Sequence, residues 1–240
     1  MKTRRLGHRR EQVLALVPCR RVVADIGSGD GQLAVELVLR RCARRVIATE
    51  KREAPRMRVA SYVEARGLGD RIEVRLGDGL LPLNVGEAEV AVLAGMGALT
   101  MRDILQQAPS HLASLELVVL QPLNDVSHLR RWLWEQELGI AHETLVEEKG
   151  RLYPVMLLRP DGPPSHIWEE LGDLNFELGS YLISSGHPGL EHVLSRLERQ
   201  CDAVLSDFKG KPVASRLRRQ WDERQARIKE ARRLWQKHVK

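Results

Sequence analysis

Glycine and acidic residues alternate in one short segment, Val22-Val-Ala-Asp25-Ile-Gly27-Ser-Gly29-Asp-Gly31. The segment follows an apolar run typical of a buried strand and precedes a helical pattern. Glycines let the backbone turn tightly and approach a ligand, and the free N–H groups at a helix start favour an electronegative group. The sequence therefore predicts a small-molecule site between a strand and a helix.

The spacing of these residues is typical of one class of cofactor pocket. Dinucleotide-binding loops usually follow G-x-G-x-x-G. Here an acidic residue, Asp25, precedes a G-x-G-x-G rhythm, which resembles the S-adenosylmethionine pocket of Rossmann-like methyltransferases. In those enzymes the acidic residue and the loop lie under the methionine part of the cofactor.

Three further segments stand in the expected order after the next predicted strands. Glu50 ends the second strand, where a carboxylate can accept hydrogen bonds from ribose hydroxyls. Gly77-Asp78-Gly79 follows the third strand, where Asp78 can accept a hydrogen bond from the adenine amine. Ala94-Gly95-Met96-Gly97 follows the fourth, next to the expected position of the reactive methyl. All four segments fall at the carboxyl ends of strands, where open α/β sheets bind ligands.

Each acidic residue or methionine also has a simpler interpretation. Asp25 could cap a turn, Glu50 could be a surface carboxylate before Lys51-Arg52, Asp78 could be a turn residue and Met96 could be core. The occurrence of all four in the expected order favours the cofactor site.

The elements that position these residues alternate along the chain. Apolar runs predict strands near 21–26, 45–49, 71–75, 89–94, 115–121, 140–147 and 153–159. Helical patterns cover 31–41, 55–66, 100–108 and 126–137, and a first amphipathic helix ends at Pro18. This predicts an α/β fold with a mostly parallel, Rossmann-like sheet covered by helices on both sides. The last two strands have no helix between them, so they should form an antiparallel pair at one edge.

A cluster of turn formers, Arg159-Pro-Asp-Gly-Pro-Pro164, marks a domain boundary. We assign residues 1–160 to the catalytic domain and 161–240 to a helical domain. Beyond the boundary, Leu190, Leu194, Leu197, Cys201 and Phe208 have helical spacing, as do Val213, Leu217, Trp221 and Ile228. The short turn between these helices predicts an antiparallel coiled-coil hairpin.

Charge is distributed unevenly over the 240 residues. The net charge is +6, whereas residues 1–21 carry seven Lys/Arg against one Glu, giving +6, and residues 195–240 carry fourteen against six, giving +8. The middle therefore carries 6 − 6 − 8 = −8. Two basic ends around an acidic body favour a polyphosphate partner such as RNA. The alternative is that these charges are only solvated helix faces.

The cysteines and the N-terminus bear on location and chemistry. Cys19, Cys42 and Cys201 have no paired spacing, so neither a disulfide framework nor a metal cluster is expected. Pro18-Cys19 precedes the cofactor motif and is out of place for a cysteine nucleophile. No apolar segment reaches membrane-spanning length, and no signal peptide is recognisable. We expect a cytoplasmic protein.

Six short motifs stand in order along the chain. They are Asp25-Ile-Gly-Ser28, Arg75-Leu-Gly-Asp-Gly-Leu80, Ala94-Gly-Met-Gly97, Leu120-Gln-Pro-x-Asn124, Leu129-Arg-x-Trp-Leu133 and Glu148-Lys-Gly-Arg-x-Tyr153. These motifs resemble the bacterial tRNA adenine-N1-methyltransferases that modify position 22. The resemblance runs from about Leu6 to Arg159, and the family's coiled-coil C-terminal domain matches the predicted hairpin in place and character. The family pattern Asp-His-Ala-Tyr is replaced by Gly29-Asp30-Gly31-Gln32, and the last glycine of Gly-Met-Gly-Gly by Ala98. The first change removes a His and an aromatic ring near the pocket.

The resemblance implies S-adenosylmethionine as cofactor and tRNA as substrate, with no metal. The expected cofactor-binding residues are Asp25, Gly27, Ser28, Gly29, Asp30, Gly31, Glu50, Lys51, Gly77, Asp78, Gly79 and Ala94. The expected catalytic residues are Gly95, Met96 and Gly97. Charge and the family motifs together give the substrate-binding candidates Arg4, Arg5, Arg9, Arg10, Asn124, Tyr153, Arg216, Arg218 and Arg219. Trp221 and Trp235 could stack bases, although helical spacing favours hairpin core.

Adenine N1 carries an in-plane lone pair, so its methylation needs alignment and electrostatic stabilisation without a covalent intermediate or a strong base. The Asn-Pro-Pro-Tyr type motif of exocyclic-amine methyltransferases is absent after the fourth strand, which disfavours N6 methylation. Two other hypotheses remain. One is methylation of another nucleic acid or of a small molecule, and the other is a non-catalytic RNA-binding protein with a Rossmann core. We expect a monomer or weak dimer.

Overall fold

A seven-stranded sheet forms the centre of the first of two compact units, Met1–Pro164 and Ser165–Lys240. The computed structural model describes residues 6–19, 21–209, 212 and 214–239. The strands are β1 Arg21–Ile26, β2 Ala43–Glu50, β3 Ile72–Leu76, β4 Val90–Met96, β5 Leu117–Pro122, β6 Gly139–Glu148 and β7 Arg151–Arg159. Their order in the sheet is β3-β2-β1-β4-β5-β7-β6.

The sheet is parallel from β3 to β5, and β7 runs antiparallel to both β5 and β6. The predicted Rossmann-like sheet with an antiparallel edge pair is therefore confirmed. Because β1 leads outward to β2 on one side and β4 leads to β5 on the other, the strand order reverses between β1 and β4. Ligands bind open α/β sheets at such a reversal.

Helices cover both faces of the sheet. They are α1 His8–Leu16, α2 Gln32–Leu39, α3 Glu53–Glu64, α4 Ala98–Gln107, α5 Pro109–Ser114 and α6 Val126–Glu135. Adjacent residues of β1 point to opposite faces: Val23 packs in the core with α1, α2 and α3, and Ala24 packs in the core with α4 and α6. The central strands are buried on both faces, which explains their unbroken apolar sequences.

The second unit is helical. It contains a 3-10 turn, Glu169–Leu171, and the helices α7 Leu174–Leu178, α8 Ser180–Ser184, α9 Gly189–Asp207 and α10 Ser215–Gln236. Helices α9 and α10 are antiparallel, because Arg232 pairs with Glu191 and Glu198, whereas Gln225 bonds Asp202 further along α9. The sequence indicated that two helices joined by a short turn form such a hairpin. The coiled-coil geometry stays a prediction.

The predicted buried face of the hairpin is correct for α9 and partly wrong for α10. Leu190, Leu194, Leu197 and Cys201 are buried as expected, and so is Ile228. Leu217 is 42% exposed, because it lies in the first turn of α10 and the buried residues of that helix are in its C-terminal half, against α7, α8 and α9. Phe208 and Trp221 are half-buried, and Val213 lies outside the described residues.

Along the chain, the first compact unit ends at Pro164, the last residue of the turn segment. This is four residues after the boundary predicted at residue 160. No helix in the described part of the chain has the length and apolar character needed to cross a membrane.

Candidate functional site

The glycine loop joins β1 to α2 and requires glycine at defined positions. Gly27 and Gly31 have φ of +68° and +72°, and Gly31 is the N-cap of α2. A Cβ added at Gly31 would lie 3.2 Å from Val59 Cγ1. The N–H groups of Gly27 and Ser28 donate to the Thr49 carbonyl at 2.9 and 3.3 Å, which fixes the loop against the end of β2.

Asp25 is the penultimate residue of β1, beneath this loop, and is 2% exposed. Its Oδ2 accepts a hydrogen bond from Ser28 Oγ at 2.6 Å. Burial raises the pKa of the Asp25 carboxyl to about 6, although Ser28 and then the nearby Arg10 charge act in the opposite direction. A buried carboxylate with a raised pKa facing a cavity is an attractive position for a cationic ligand group.

Glu50 ends β2 on the same edge of the sheet and is nearly buried. Its Oε1 accepts a hydrogen bond from the Gly29 N–H, and its carbonyl accepts one from the Gly77 N–H at 2.9 Å. Glu50 thus contacts both the glycine loop and the segment after β3. The structure brings together the ends of β1, β2 and β3.

The other predicted residues after β2 and β3 lie beside Glu50. Lys51 Nζ and Asp78 Oδ2 form an ion pair at 2.6 Å, and Thr49 Oγ1 donates to the Gly79 carbonyl at 3.0 Å. Asp78 remains about one third exposed, so its carboxylate is accessible to solvent and to a ligand at this edge.

The C-terminal end of β4 lies against the glycine loop, and Gly97 follows it. Gly95 has φ +75°, and a Cβ added there would meet no atom within 4 Å, so its surroundings are open. Met96 packs against the loop, since its Cε would be 3.0 Å from a Cβ at Gly27. Asn124 Oδ1 would be 3.0 Å from a Cβ at Gly97, which places Asn124 beside the N-terminus of α4.

A cavity of about 390 Å³ lies between these segments, at the reversal of strand order. This is within the range of small-molecule pockets, about 300–1,000 Å³. The lining residues are Gly7, Arg9, Arg10, Val13, Asp25, Gly27, Ser28, Gly29, Leu33, Ala94, Gly95, Gln121, Leu123 and Glu148. Of the predicted cofactor-binding and catalytic residues, this lining omits Asp30, Gly31, Glu50, Lys51, Gly77, Asp78, Gly79, Met96 and Gly97. The predicted substrate-binding residues Asn124, Tyr153, Arg216, Arg218 and Arg219 are also outside it.

Several lining residues were missed as site residues at the sequence level. Gln121 is 2% exposed at the end of β5, and its Nε2 donates to the Pro122 carbonyl at 2.9 Å. A polar residue ending the apolar run Val118-Val-Leu120 was the available signal. Glu148, at the end of β6, gave no such signal, because its approach to the cavity depends on the antiparallel edge pair.

Helix α1 forms one wall of the cavity and carries two arginines expected to bind RNA. Arg9 Nε pairs with Glu148 Oε2 at 2.6 Å, and its guanidinium lies 4.6 Å from the centre of the Tyr153 ring. Arg10 donates to Asp30 Oδ2 at 3.0 Å and to Gln32 Oε1 at 3.2 Å. Both side chains line the cavity. The candidates Arg4 and Arg5 lie outside the described residues.

The remaining arginine candidates belong to the second unit. Arg216, Arg218 and Arg219 are exposed near the start of α10. Trp235 is 6% exposed, and its Nε1 donates to the His187 carbonyl at 3.1 Å, so it belongs to the helical core. Within the described residues, no group of three or more His, Cys, Asp and Glu could hold a metal ion.

Comparisons with known proteins agree with this arrangement. The methyltransferase domain family model matches residues 6–156. The tRNA (adenine(22)-N(1))-methyltransferase of Bacillus subtilis is 34% identical over 157 residues, which cover 65% of this chain and 66% of that protein. A putative tRNA methyltransferase of Mycoplasma pneumoniae is 35% identical over 173 residues, covering 67% of this chain and 72% of that protein.

A solved structure extends the similarity over almost the whole chain. It is that of a putative tRNA (m1A22) methyltransferase from Streptococcus pneumoniae, with a TM-score of 0.82 and 26% identity over 95% of this chain and 99% of that chain. The same protein in complex with S-adenosyl-L-methionine gives a TM-score of 0.78.

Proposed function

This chain belongs to the methyltransferase family that includes the Bacillus subtilis tRNA (adenine(22)-N1)-methyltransferase, and we propose that it transfers a methyl group from S-adenosylmethionine to N1 of adenine 22 in tRNA. The observation that carries the proposal is the cavity at the reversal of strand order, where buried Asp25, the glycine loop and open Gly95 face one another. The substrate is inferred from the similarity to the relatives.

The residues around the cavity fit this cofactor. Asp25 offers a buried carboxylate to a positively charged ligand, and Glu50 and Asp78 offer acceptors on the neighbouring strand ends. Gly95 leaves open space where a side chain would otherwise project. When bound, S-adenosylmethionine supplies an electrophilic methyl group on a sulfonium.

The protein's contribution to the reaction is alignment of the reacting atoms, with electrostatic stabilisation. The lone pair of adenine N1 makes a nucleophilic side chain unnecessary, and we assign Gly95, Met96 and Gly97 to the wall along which the target base is aligned. An adenine whose N1 is paired must first be exposed or flipped out of its helix. We propose that Asn124, which lies beside Gly97, orients that base.

We assign the target nucleotide to the side of the cavity formed by α1 and the turn between β6 and β7. Gly7 and Glu148 line both the main cavity and a second, open depression of about 500 Å³, whose other lining residues are Leu6, His8, Glu147 and Lys149. Arg9 and Tyr153 are in contact with each other at this wall. A guanidinium, an aromatic ring and a carboxylate together can hold a phosphate, stack a base and accept from an adenine amine.

The exposed arginines of α10 are proposed to hold tRNA by its phosphates. The enzyme is proposed to act in the cytoplasm as a monomer or weak dimer.

The proposal is tested with the purified full chain, labelled S-adenosylmethionine and unmodified tRNA transcripts. We expect N1-methyladenosine at position 22, mapped by nuclease digestion and mass spectrometry, and no transfer to the transcript in which adenine 22 is replaced by guanine. Asp25→Ala should abolish transfer. Absence of transfer to any tRNA, or methylation of N6 instead, would contradict the proposal.

A further inference from the structure

Arg10 connects α1 to the glycine loop. Its Nη2 donates to Asp30 Oδ2 and its Nη1 to Gln32 Oε1. Both partners belong to the segment Gly29-Asp30-Gly31-Gln32, which departs from the Asp-His-Ala-Tyr pattern of the family. Both partners of Arg10 therefore stand where this chain departs from the family pattern.

The guanidinium of Arg10 is available to a ligand in the cavity. The side chain lines the cavity together with Asp25, and it is the nearby charge that most favours ionisation of Asp25. An arginine has five N–H donors, and in the described part of the chain only Asp30 and Gln32 accept hydrogen bonds from Arg10. Donors therefore remain for a bound anion.

Helix α1 holds Arg10 in this position by packing. Val13 and Leu14, on the same helix, are buried against the sheet and α2. Asp30 and Gln32 then orient the guanidinium through their hydrogen bonds. A guanidinium oriented in this way loses little conformational entropy when it binds a carboxylate.

Arg9 and Glu148, which also line the cavity, pair with each other. The remaining charged residues of the lining are one carboxylate, Asp25, and one guanidinium, Arg10. This pair is the charge complement of an α-amino acid, which carries one ammonium and one carboxylate. We infer that Arg10 binds the carboxylate of the methionine portion of S-adenosylmethionine while Asp25 faces its ammonium. The inference rests on the proposed function, since it takes the cofactor of that function as the ligand.

The test compares two ligands that differ by one carboxylate. S-adenosylhomocysteine has both amine and carboxylate, whereas 5′-deoxy-5′-(3-aminopropylthio)adenosine keeps the amine and lacks the carboxylate. Binding of each to the full chain and to Arg10→Gln is measured by calorimetry. Arg10→Gln should weaken S-adenosylhomocysteine binding about 10- to 100-fold, as expected for the removal of one charged hydrogen-bonding partner, and change binding of the decarboxylated ligand less than about twofold. Arg10→Lys should recover part of the affinity.

Arg40→Gln is the matched control for a merely structural role. Arg40, at the end of α2, pairs with Glu11 of α1, so it also ties α1 to α2 but does not line the cavity. Arg40→Gln should leave the ratio of the two affinities unchanged. Equal weakening of both ligands by Arg10→Gln, or no weakening, would overturn the inference and leave the proposed function intact. If the unaltered chain binds neither ligand, the proposed function fails as well.

Discussion

At the scale of single residues, burial of the Asp25 carboxyl affects both its ionisation and its interaction with a ligand. Water is excluded from its carboxylate, so ionisation is unfavourable until a cation or hydrogen-bond donor compensates. Ser28 and Arg10 compensate in part. A bound ammonium would complete the compensation, and ligand binding should therefore depend on the protonation of Asp25.

We predict that S-adenosylhomocysteine binds more weakly as pH falls from 7 to 5. The pKa of Asp25 is raised to about 6, so below that value the carboxyl is protonated in the free protein and its attraction for the ligand ammonium is lost. The affinity should decrease by up to about tenfold per pH unit below the pKa. Calorimetry at several pH values measures this. Asp25→Asn should bind weakly with little pH dependence, and an identical pH profile in that variant would exclude Asp25 as the group responsible.

The sequence predicted the part of the site whose residues are close together along the chain. Asp25, Gly27 and Gly29 are neighbours along the chain, and their spacing alone indicates a ligand loop. Arg10 and Glu148 reach the cavity through the packing of α1 and the edge pair of strands, which local spacing does not encode. RNA binding by Arg9 and Arg10 stays a prediction, and their position at the cavity wall could not be predicted from local spacing.

At the scale of elements, a buried ion pair joins α6 to β6. Arg130 donates from Nε and Nη2 to Glu143 Oε1 at 3.0 and 2.6 Å, and both side chains are almost wholly buried. Glu143 Oε2 has no hydrogen-bond partner within the described residues. Burial raises the pKa of Glu143, and the Arg130 charge opposes that effect. Such a pair costs desolvation energy, and breaking it on one side costs more.

We predict that Arg130→Met lowers the free energy of unfolding by about 3–5 kcal/mol at pH 8, because Glu143 is left buried and unpaired. The double variant Arg130→Met, Glu143→Leu should be within about 2 kcal/mol of the original protein, since both charges are then gone. Urea denaturation measures both. The defect of the single variant should lessen at pH 5, where Glu143 can be protonated. Equal destabilisation in the single and double variants would show that packing of Arg130, not its charge, is what matters.

Helices could be predicted only where they are long enough for the spacing of apolar residues to show a helical period. The four interior helices predicted in the first unit correspond to α2, α3, α4 and α6. Helix α5 has six residues and α7 and α8 have five each, which is too short for a periodic pattern to emerge. Leu217 had the right spacing and is nevertheless exposed, because spacing cannot tell which part of α10 has a neighbour.

At the scale of the whole molecule, the two units have different proposed roles, cofactor binding and tRNA binding. The first holds the cavity proposed to bind the cofactor, and the second carries exposed arginines at the start of α10. Other arginines of the second unit are engaged in ion pairs, as Arg224 is with Glu177 and Arg232 is with Glu198. An arginine that is paired with a carboxylate is less available to neutralise a phosphate. It therefore releases fewer counterions from RNA.

We therefore predict that replacing Arg216, Arg218 and Arg219 together by Gln weakens tRNA binding and reduces its salt dependence. The slope of log K against log salt should fall by up to about 0.7–0.9 for each phosphate that an arginine no longer neutralises, measured by filter binding between 50 and 250 mM KCl, values chosen as roughly bracketing physiological salt. S-adenosylhomocysteine binding should not change. The control replaces Arg45, Arg56 and Arg102 by Gln, which removes the same charge from arginines that are ion-paired in the first unit. If both triple variants lower the slope equally, net charge rather than the α10 surface attracts tRNA; if neither does, these arginines are only a solvated helix face.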